Sequence, residues 1–348
     1  MNTDTRTLTD RVRDNVLTEN RCTLISSNQQ RPTVLRASVS QDPRFELFHF
    51  VFSVCSQRVR GTLAEKGVTY GSNEIHIMPP ESENYSPDYV RLRLASAAAD
   101  GKRVGGSFNA STSVEGEGFD PLVVPTFVDH EAGRVVTDSK AICLYICQNI
   151  TSGIDLIPED IRAPILGQLD ITDSMPHAAL FYGADPDGDH RPAHVQAKLP
   201  GIHKYKIEAV ERNIALADGD PQLLAAYQQK MSKEKAAANF VVDVVRMRAA
   251  INYIRQTISG LDDLLSQSRG QWLFDDRFTL ADLVWGVNLF RFVWVGYGGL
   301  WTTEGYRPRV EAYANRLFQR QSVKDAIINW PGHPPSEFAG HLFSTSAR

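Results

Sequence analysis

The sequence predicts two domains, a small α/β domain followed by an all-helical one. Three patterns in the 348 residues support this fold class. Residues 45–77 read as strand, helix and strand, residues 122–150 read as strand, turn, strand and helix, and the pattern from about residue 154 onward is helical. Two such β-containing units can share one sheet, while a helical stretch of this length packs as a domain of its own.

The first unit is a strand, a helix and a second strand. It begins with the apolar run FELFHFVF, which has the length and composition of a buried strand. The next segment, SQRVRGTLAEKG, is helical, with Val59 and Leu63 one turn apart and Gly67 as the stop. In VTYGSNEIHIM, Ile75 and Ile77 alternate as in a strand. The order predicts a parallel strand pair with a right-handed crossover.

The chain divides into three predicted segments. Residues 1–42 are a polar N-terminal extension packed on the surface, with a helical pattern in LTDRVRDNVL. Residues 43–152 form the α/β domain, with a loop insertion at about residues 92–120 that is rich in Gly, Ser and Ala. A long loop of this kind in a compact domain is often functional. Residues 153–348 form the helical domain.

The composition predicts a soluble protein with no nucleic-acid or membrane partner. Lys and Arg number 37 against 41 Asp and Glu, the net charge is −4, and no dense basic cluster occurs. The polar N-terminus lacks the apolar core of a signal peptide, and no apolar run reaches the length of a membrane span. The four cysteines are too irregular for a disulfide scaffold, which favours a reducing cytoplasm.

Cys55 lies where the first apolar run ends and the first helix begins. If that helix begins at Ser53, the thiol lies in its first turn, where the dipole and free N–H groups favour thiolate. Arg58 or Arg60 would add to this effect if its side chain turned back. The Ser53 hydroxyl could donate to a thiolate of its neighbour or of a ligand. Burial among apolar side chains would instead make Cys55 a structural residue, and both readings stay open.

Two further motifs suit ligand binding. Pro125 stands at the start of a strand, where the missing N–H of proline is tolerated. A cis Val124–Pro125 bond would turn the backbone of Val124 outward to pair with an extended peptide, whereas a trans bond is the commoner alternative. Asp138 or Ser139 caps the next helix, and such a helix N-terminus either binds a carboxylate or is a plain cap.

The remaining polar residues indicate no metal site. Cys143 and Cys147 are four residues apart on one helix, but no further His or Cys completes a ligand set, so core packing is favoured. Farther along, Thr279 and Asp282 form a capping box before a helix that is apolar nearly all round. Arg291, the one charged residue late in that helix, points either into a cleft or to solvent.

Taken in order, these motifs resemble the glutathione transferase superfamily. The order is Ser53-x-Cys55 after the first strand, Val124-Pro125-Thr126, Asp138-Ser139 at a helix start, and Thr279-x-x-Asp282 far downstream. The resemblance covers roughly residues 44–330. It implies a glutathione transferase fold, in which a thioredoxin-like α/β domain precedes an all-α domain, usually within a homodimer.

The resemblance also implies that glutathione is the co-substrate and assigns residues to it. By position, the backbone of Val124, ahead of a cis Pro125, would pair with the cysteinyl part of glutathione. Asp138 and Ser139 would hold the γ-glutamyl end. The departure at residues 92–120 leaves the glycine end without an assigned contact.

Within the superfamily, the pattern is most similar to members that reductively remove chloride from chlorinated hydroquinones. This likeness implies that Ser53 stabilises the glutathione thiolate that displaces chloride. Cys55 would then take the glutathionyl sulfur in a mixed disulfide, which a second glutathione resolves. Trp294, Tyr297 and Trp301 are candidate walls for the aromatic substrate, with core packing as the alternative for each. The rival functions are a glutathione-dependent β-etherase or isomerase and, in another class, a non-catalytic interaction module.

Overall fold

The computed structural model describes residues 5–17, 22–26, 33–35, 43–199, 201–217 and 219–332. These residues form a mixed sheet with helices packed against it, followed by a helical domain. The strands are β1 (Cys22–Ser26), β2 (Thr33–Leu35), β3 (Phe45–His49), β4 (Tyr70–Glu74), β5 (Thr126–Asp129) and β6 (Arg134–Thr137). The helices of the sheet domain are α1 (Thr5–Asn15), α2 (Val54–Glu65), α3 (Pro87–Ala99), α4 (Val114–Glu117) and α5 (Ser139–Asn149). The helices of the helical domain are α6 (Arg162–Asp173), α7 (His177–Tyr182), α8 (Ala193–Lys198), α9 (Ile202–Ala215), α10 (Pro221–Phe240), α11 (Val244–Gln267), α12 (Leu280–Trp294), α13 (Gly299–Thr302), α14 (Pro308–Gln319) and α15 (Gln321–Val323).

The sheet has the strand order β2-β1-β4-β3-β5-β6. β3 and β4 are parallel, with α2 as their crossover, and the other neighbouring strands are antiparallel. Every side chain of β3 is buried, because helices cover both faces of the sheet at its centre. The predicted fold class and the parallel strand pair are confirmed.

The N-terminal extension contributes strands as well as the expected helix. β1 pairs with β4, and β2 pairs with β1, so both lie at one edge of the sheet. α1 packs on α3, and the side-chain amide of Asn15 donates to Asp88 over 2.9 Å. The sequence missed the two strands because segments of five and three residues carry too little alternation to be recognised. The boundary at residue 42 stays a prediction.

The irregular insertion is shorter than predicted. Residues 92–99 belong to α3, so that part of the predicted loop is wrong. Pro87 in the first turn favours the start of a helix. The alanines near its end are small, which suggests a loop, but alanine is a strong helix former. The helix ends just before Gly101, whose φ is 65°. Beyond it, an isolated bridge joins Val104 to Phe119.

Helix α12 is the central helix of the helical domain and begins with the predicted capping box. One carboxylate oxygen of Asp282 accepts from the backbone N–H and the hydroxyl of Thr279, each over 2.8 Å. The other accepts from the N–H of Leu273 over 2.9 Å and from the hydroxyl of Tyr313 over 2.8 Å. Asp282 therefore joins the start of α12 to α14 and to the preceding turn while fully buried.

We predict that Asp282→Ala lowers the free energy of unfolding by about 3 kcal/mol, since it removes a cap and leaves the donors of Leu273, Thr279 and Tyr313 buried without an acceptor. Urea unfolding measures the loss. Asp243→Ala is the matched control, because Asp243 caps α11 with a side chain that is 41% exposed and should cost only about 1 kcal/mol. Equal losses in the two variants would contradict the buried network.

Candidate active site

A cavity of about 1230 Å³ lies between the start of α2 and helices α7, α9, α10 and α12. The six residues that the sequence predicts for catalysis and glutathione binding all line it: Ser53, Cys55, Val124, Pro125, Asp138 and Ser139. They come from three separate segments, the N-cap and first turn of α2, the turn before β5 and the start of α5. The structure thus brings the predicted residues together, while their chemical roles stay predictions.

Ser53 is the N-cap of α2. Its extended backbone, with φ −72° and ψ 118°, ends the apolar run, and its hydroxyl oxygen accepts from the N–H of Ser56 over 3.2 Å. The hydroxyl of Ser56 in turn accepts from the N–H of Phe50 over 3.2 Å. A serine hydroxyl that accepts in this way keeps its own proton, so Ser53 can still donate a hydrogen bond to an anion in the cavity.

Cys55 lies in the first turn of α2 and is partly exposed to the cavity. Burial raises the pKa of its thiol, and the carboxylates of Asp138 and Asp173 act in the same direction. The guanidinium of Arg58 and a hydrogen bond with the Ser139 hydroxyl lower that pKa but do not offset burial. Loss of water has the largest effect among these causes, so the pKa of the thiol shifts upward, which is the direction that burial favours.

Arg58 is the buried cation beside this thiol. It forms an ion pair with Asp173 at the end of α6, and it donates to the carbonyl of Thr172 over 3.1 Å and to the side chain of Asn288 over 3.2 Å. Arg60, the other candidate, donates instead to the carbonyls of Phe50 and Val51, just after β3, and to the carbonyl of Ala326 near the C-terminal end of the described chain. Arg58 thus places a positive charge near the Cys55 thiol, and Arg60 joins the sheet domain to the segment around Ala326.

The Val124–Pro125 peptide bond is cis, as the resemblance implies. The neighbouring carbonyls are engaged, that of Val123 with Tyr89 over 3.1 Å and that of Pro125 with Arg93. Within the part of the chain that the structure describes, no group hydrogen bonds to the backbone of Val124, which lines the cavity. Its N–H and carbonyl are therefore open to an extended peptide.

Asp138 and Ser139 form the N-terminus of α5. Asp138 caps the helix, with φ at 77°, and its carboxylate accepts from the N–H of Ala141 over 2.9 Å. Burial raises the pKa of this carboxyl, while the bond from Ala141 and the charge of Lys102 oppose the increase. Asp138 retains acceptor sites that face the cavity, whereas the hydroxyl of the buried Ser139 contacts the Cys55 thiol.

Aromatic rings and one arginine form a further part of the cavity wall. The ring of Trp294 stacks on Phe52 and on Phe181, with both centroid distances 5.5 Å. The guanidinium of Arg291 lies 4.7 Å from the centre of the Trp294 ring and donates to the carbonyl of Phe52. Arg291 therefore points into the cleft. Burial lowers its pKa to about 10, so it is still charged at neutral pH.

Two of the three predicted aromatic walls belong to the core instead. Tyr297 and Trp301 are buried and do not line the cavity, because they follow the end of α12 and pack inside the helical domain. The sequence missed His177, which does line it and stacks on Phe292 at 5.9 Å. Burial, together with the charges of two nearby arginines, holds the pKa of His177 well below its usual value. No local pattern marked this residue.

The described residues contain no group of His, Cys, Asp and Glu that could hold a metal ion. In the same ranges, no helix has the length and apolar character needed to cross a membrane. Cys143 and Cys147 are free thiols on α5, the first buried and the second partly buried. Burial raises the pKa of both thiols, that of Cys147 to about 12.

We predict that iodoacetamide alkylates Cys55 with a pH midpoint above that of an ordinary cysteine thiol. Ser139→Ala should shift this midpoint further upward, because it removes a hydrogen bond that favours thiolate. The rate is followed by mass spectrometry of the Cys55 peptide as a function of pH. Cys147 is the internal control and should react only at still higher pH. A midpoint at neutral pH would contradict the dominance of burial.

Two family models match the chain. The glutathione S-transferase N-terminal domain covers residues 52–149, and the glutathione S-transferase C-terminal domain covers residues 222–316. The first includes the six residues predicted for catalysis and glutathione binding, and the second includes all of α12, which contributes Arg291 and Trp294 to the cavity wall.

Several known proteins are similar to the chain. The 2,5-dichlorohydroquinone reductive dechlorinases of two Sphingobium indicum strains are each 60% identical over 346 residues, which is 99% of this chain and 100% of theirs. The tetrachloro-p-hydroquinone reductive dehalogenase of Sphingobium chlorophenolicum is 26% identical over 292 residues, 83% of this chain and 99% of that one.

Solved structures agree on the fold. The β-etherase LigF from Sphingobium sp. strain SYK-6 has a TM-score of 0.54 at 18% identity, covering 82% of this chain and 100% of its own. Poplar glutathione transferase F1 has a TM-score of 0.51 at 18% identity, covering 82% of this chain and 97% of its own. At such identity the likeness concerns the fold alone, which is the glutathione transferase fold. With the matching family models and the relatives of 60% identity, it follows that the chain belongs to the glutathione S-transferase family.

Proposed function

We propose that the protein is a glutathione-dependent reductive dehalogenase of chlorinated hydroquinones, converting 2,5-dichlorohydroquinone to chlorohydroquinone and hydroquinone. The observation that carries this proposal is the 60% identity, over 346 residues, to proteins named 2,5-dichlorohydroquinone reductive dechlorinase. The cavity supports it independently, because a thiol and a capping hydroxyl face a wall of stacked aromatic rings that suits a planar aromatic substrate.

Glutathione is the proposed co-substrate. Its cysteinyl backbone would pair with the open N–H and carbonyl of Val124, beside Pro125, and so lie extended along the cavity. The α-amino group of its γ-glutamyl end would bind the carboxylate of Asp138, while the first N–H groups of α5, beginning at Ser139, favour its carboxylate. We propose no metal for this reaction, because thiols carry each of its steps.

The first step proposed is displacement of chloride. The hydroxyl of Ser53 donates a hydrogen bond to the glutathione sulfur and so stabilises the thiolate. The thiolate attacks the ring carbon that carries chlorine, a carbon–sulfur bond forms, and chloride leaves with the electron pair of the carbon–chlorine bond. The aromatic wall of Phe52, Phe181 and Trp294 orients the ring, and the charge of Arg291 stabilises negative charge on its oxygens.

The second step is reduction by Cys55. Its thiolate attacks the sulfur of the glutathionyl-hydroquinone, a sulfur–sulfur bond forms, and the carbon–sulfur bond breaks. The released electron pair stays with the ring carbon, which takes up a proton and becomes the reduced product. The raised pKa of Cys55 leaves a strongly nucleophilic thiolate once it forms, since nucleophilicity rises with thiol pKa.

The third step restores the enzyme. A second glutathione thiolate attacks the mixed disulfide, which yields glutathione disulfide and the free Cys55 thiolate. Two glutathiones thus supply the two electrons that replace chloride by a proton. We further propose that the protein acts in the reducing cytoplasm as a homodimer, without nucleic acid or membrane, because the family is usually dimeric and its free thiols need a reducing compartment.

We predict that Cys55→Ser releases chloride once per substrate and then accumulates glutathionyl-hydroquinone, because conjugation proceeds without the nucleophile of the second step. Ser53→Ala should slow chloride release by roughly tenfold to a hundredfold, the effect of one charge-assisted hydrogen bond. Liquid chromatography with mass spectrometry quantifies the conjugate and the product.

Cys147→Ser is the matched control, since it removes a thiol on α5 that lies off the cavity, and it should keep full turnover. Complete dechlorination by Cys55→Ser would overturn the role of Cys55 and favour the β-etherase or isomerase type of chemistry. A non-catalytic module would instead show little affinity for glutathione in the wild type, release no chloride, and tolerate the loss of both Ser53 and Cys55.

A further inference from the structure

The cavity has a second, charged lobe beyond its aromatic wall. We call it the lysine lobe and define it by five residues: Asn84, His203, Lys206, Lys230 and Glu234. All five are buried, and all five line the same cavity as Cys55. The mechanism proposed above uses none of them, although buried charged side chains on a cavity wall are typical of a binding site.

Within the lysine lobe, the two lysines differ in how closely their ammonium groups are paired. Lys230 donates to Asp120 over 2.9 Å and pairs with Glu234 at 3.1 Å. Lys206 forms a longer ion pair with Glu234, at 4.0 Å, and hydrogen bonds to Tyr182, and its ammonium lies 4.0 Å from the centre of the Tyr182 ring. Lys206 thus has donors to offer a carboxylate.

Two buried acceptors face the same lobe without a partner. Nδ1 of His203 is 2.8 Å from Glu234, and its Nε2 hydrogen bonds to none of the described residues. The side-chain amide of Asn84 donates to the carbonyl of Leu122 over 2.7 Å, and its oxygen is likewise unpaired among the described residues. Unpaired buried acceptors call for N–H or O–H donors. A ligand that carries both a carboxylate and N–H donors satisfies the lobe.

The lysine lobe is within reach of the reacting sulfur. From Arg291, whose charge interacts with Cys55, successive contacts lead to Phe181 at 5.4 Å, to Tyr182 at 4.9 Å, and to Lys206 at 4.0 Å. Only two aromatic rings therefore separate the lobe from the site of reaction. An extended tripeptide spans roughly 10 Å, which is of the same scale.

The proposed chemistry needs a second place for glutathione. After the second step, the first glutathione is disulfide-bonded to Cys55 and still occupies the backbone of Val124 and the start of α5. The glutathione that resolves this disulfide must therefore approach from another side. It carries two carboxylates, an ammonium group and two amide N–H groups, which match the unpaired groups of the lysine lobe.

We propose that the lysine lobe binds the second, resolving glutathione. One of its carboxylates accepts from Lys206, and its N–H groups donate to Nε2 of His203 and to the side-chain oxygen of Asn84. This inference rests on the proposed function for the role of that glutathione, while the site itself rests on the geometry of the lobe. The thiolate of the second glutathione attacks the glutathionyl sulfur of the mixed disulfide, a new sulfur–sulfur bond forms in glutathione disulfide, and Cys55 leaves as thiolate.

Binding stoichiometry tests the site without any catalysis. Calorimetry with S-methylglutathione should give two molecules per chain for the wild type and one for Lys206→Met. Lys204→Met is the matched control, because Lys204 lies on the same helix with an exposed side chain, and it should keep both. Lys206→Arg retains the cation and should also keep both, which separates loss of a contact from misfolding. A single site in the wild type, or two in Lys206→Met, overturns the proposal.

Rates of disulfide resolution test the role. Cys55 is first converted to the mixed disulfide with glutathione disulfide, and its release is followed by intact mass. Lys206→Met should be about tenfold slower with glutathione, the effect of one lost charge-assisted contact, and unchanged with uncharged dithiothreitol. Equal rates for wild type and variant with glutathione overturn the role. Failure of Cys55 to form the disulfide contradicts the proposed function, and the stoichiometry then decides the lobe alone.

Discussion

The buried guanidinium of Arg58 is the interaction on which the site depends. It stands one turn after Cys55 in α2, and its partners Asp173 and Asn288 belong to α6 and α12 of the helical domain. Removing one member of a buried ion pair typically costs 3–5 kcal/mol. The same contact that fixes the two domains therefore also sets the charge beside the thiol, so that the fold and the reactivity of Cys55 cannot change independently.

The balance around Cys55 accounts for the division of work between two sulfur-facing residues. Burial raises the pKa of the Cys55 thiol, while Arg58 and the hydroxyl of Ser139 lower it. A thiol with a raised pKa is ionised to only a small extent at neutral pH, but its thiolate is a strong nucleophile. Ser53, whose hydroxyl keeps a free proton, is better suited to stabilise the first thiolate. Ser53 and Cys55, two residues apart at the start of α2, are thus suited to the first and second steps of the proposed reaction.

The sequence predicts those parts of the molecule that local pattern determines. The stop at Gly67 and the capping box at Asp282 depend on neighbours within a few residues, and each lies where expected, while the helix considered from Ser53 begins at Val54 with Ser53 as its cap. The partners of Arg58 are 115 and 230 residues away, and no local pattern encodes them. Trp294 is the one member of the aromatic wall that the sequence predicts, while Phe52, Phe181 and the lysine lobe are missed for the same reason, because tertiary packing alone brings these residues together.

The central claim is that Cys55 carries the glutathionyl group during turnover. The most direct test is mass spectrometry of the wild-type protein, quenched in acid during reaction with glutathione and 2,5-dichlorohydroquinone, with chloride measured in parallel. The account predicts a glutathione adduct on Cys55, absent before substrate is added and lost as glutathione disulfide appears. Steady chloride release with reduced product, and no adduct at Cys55 at any time, would contradict it.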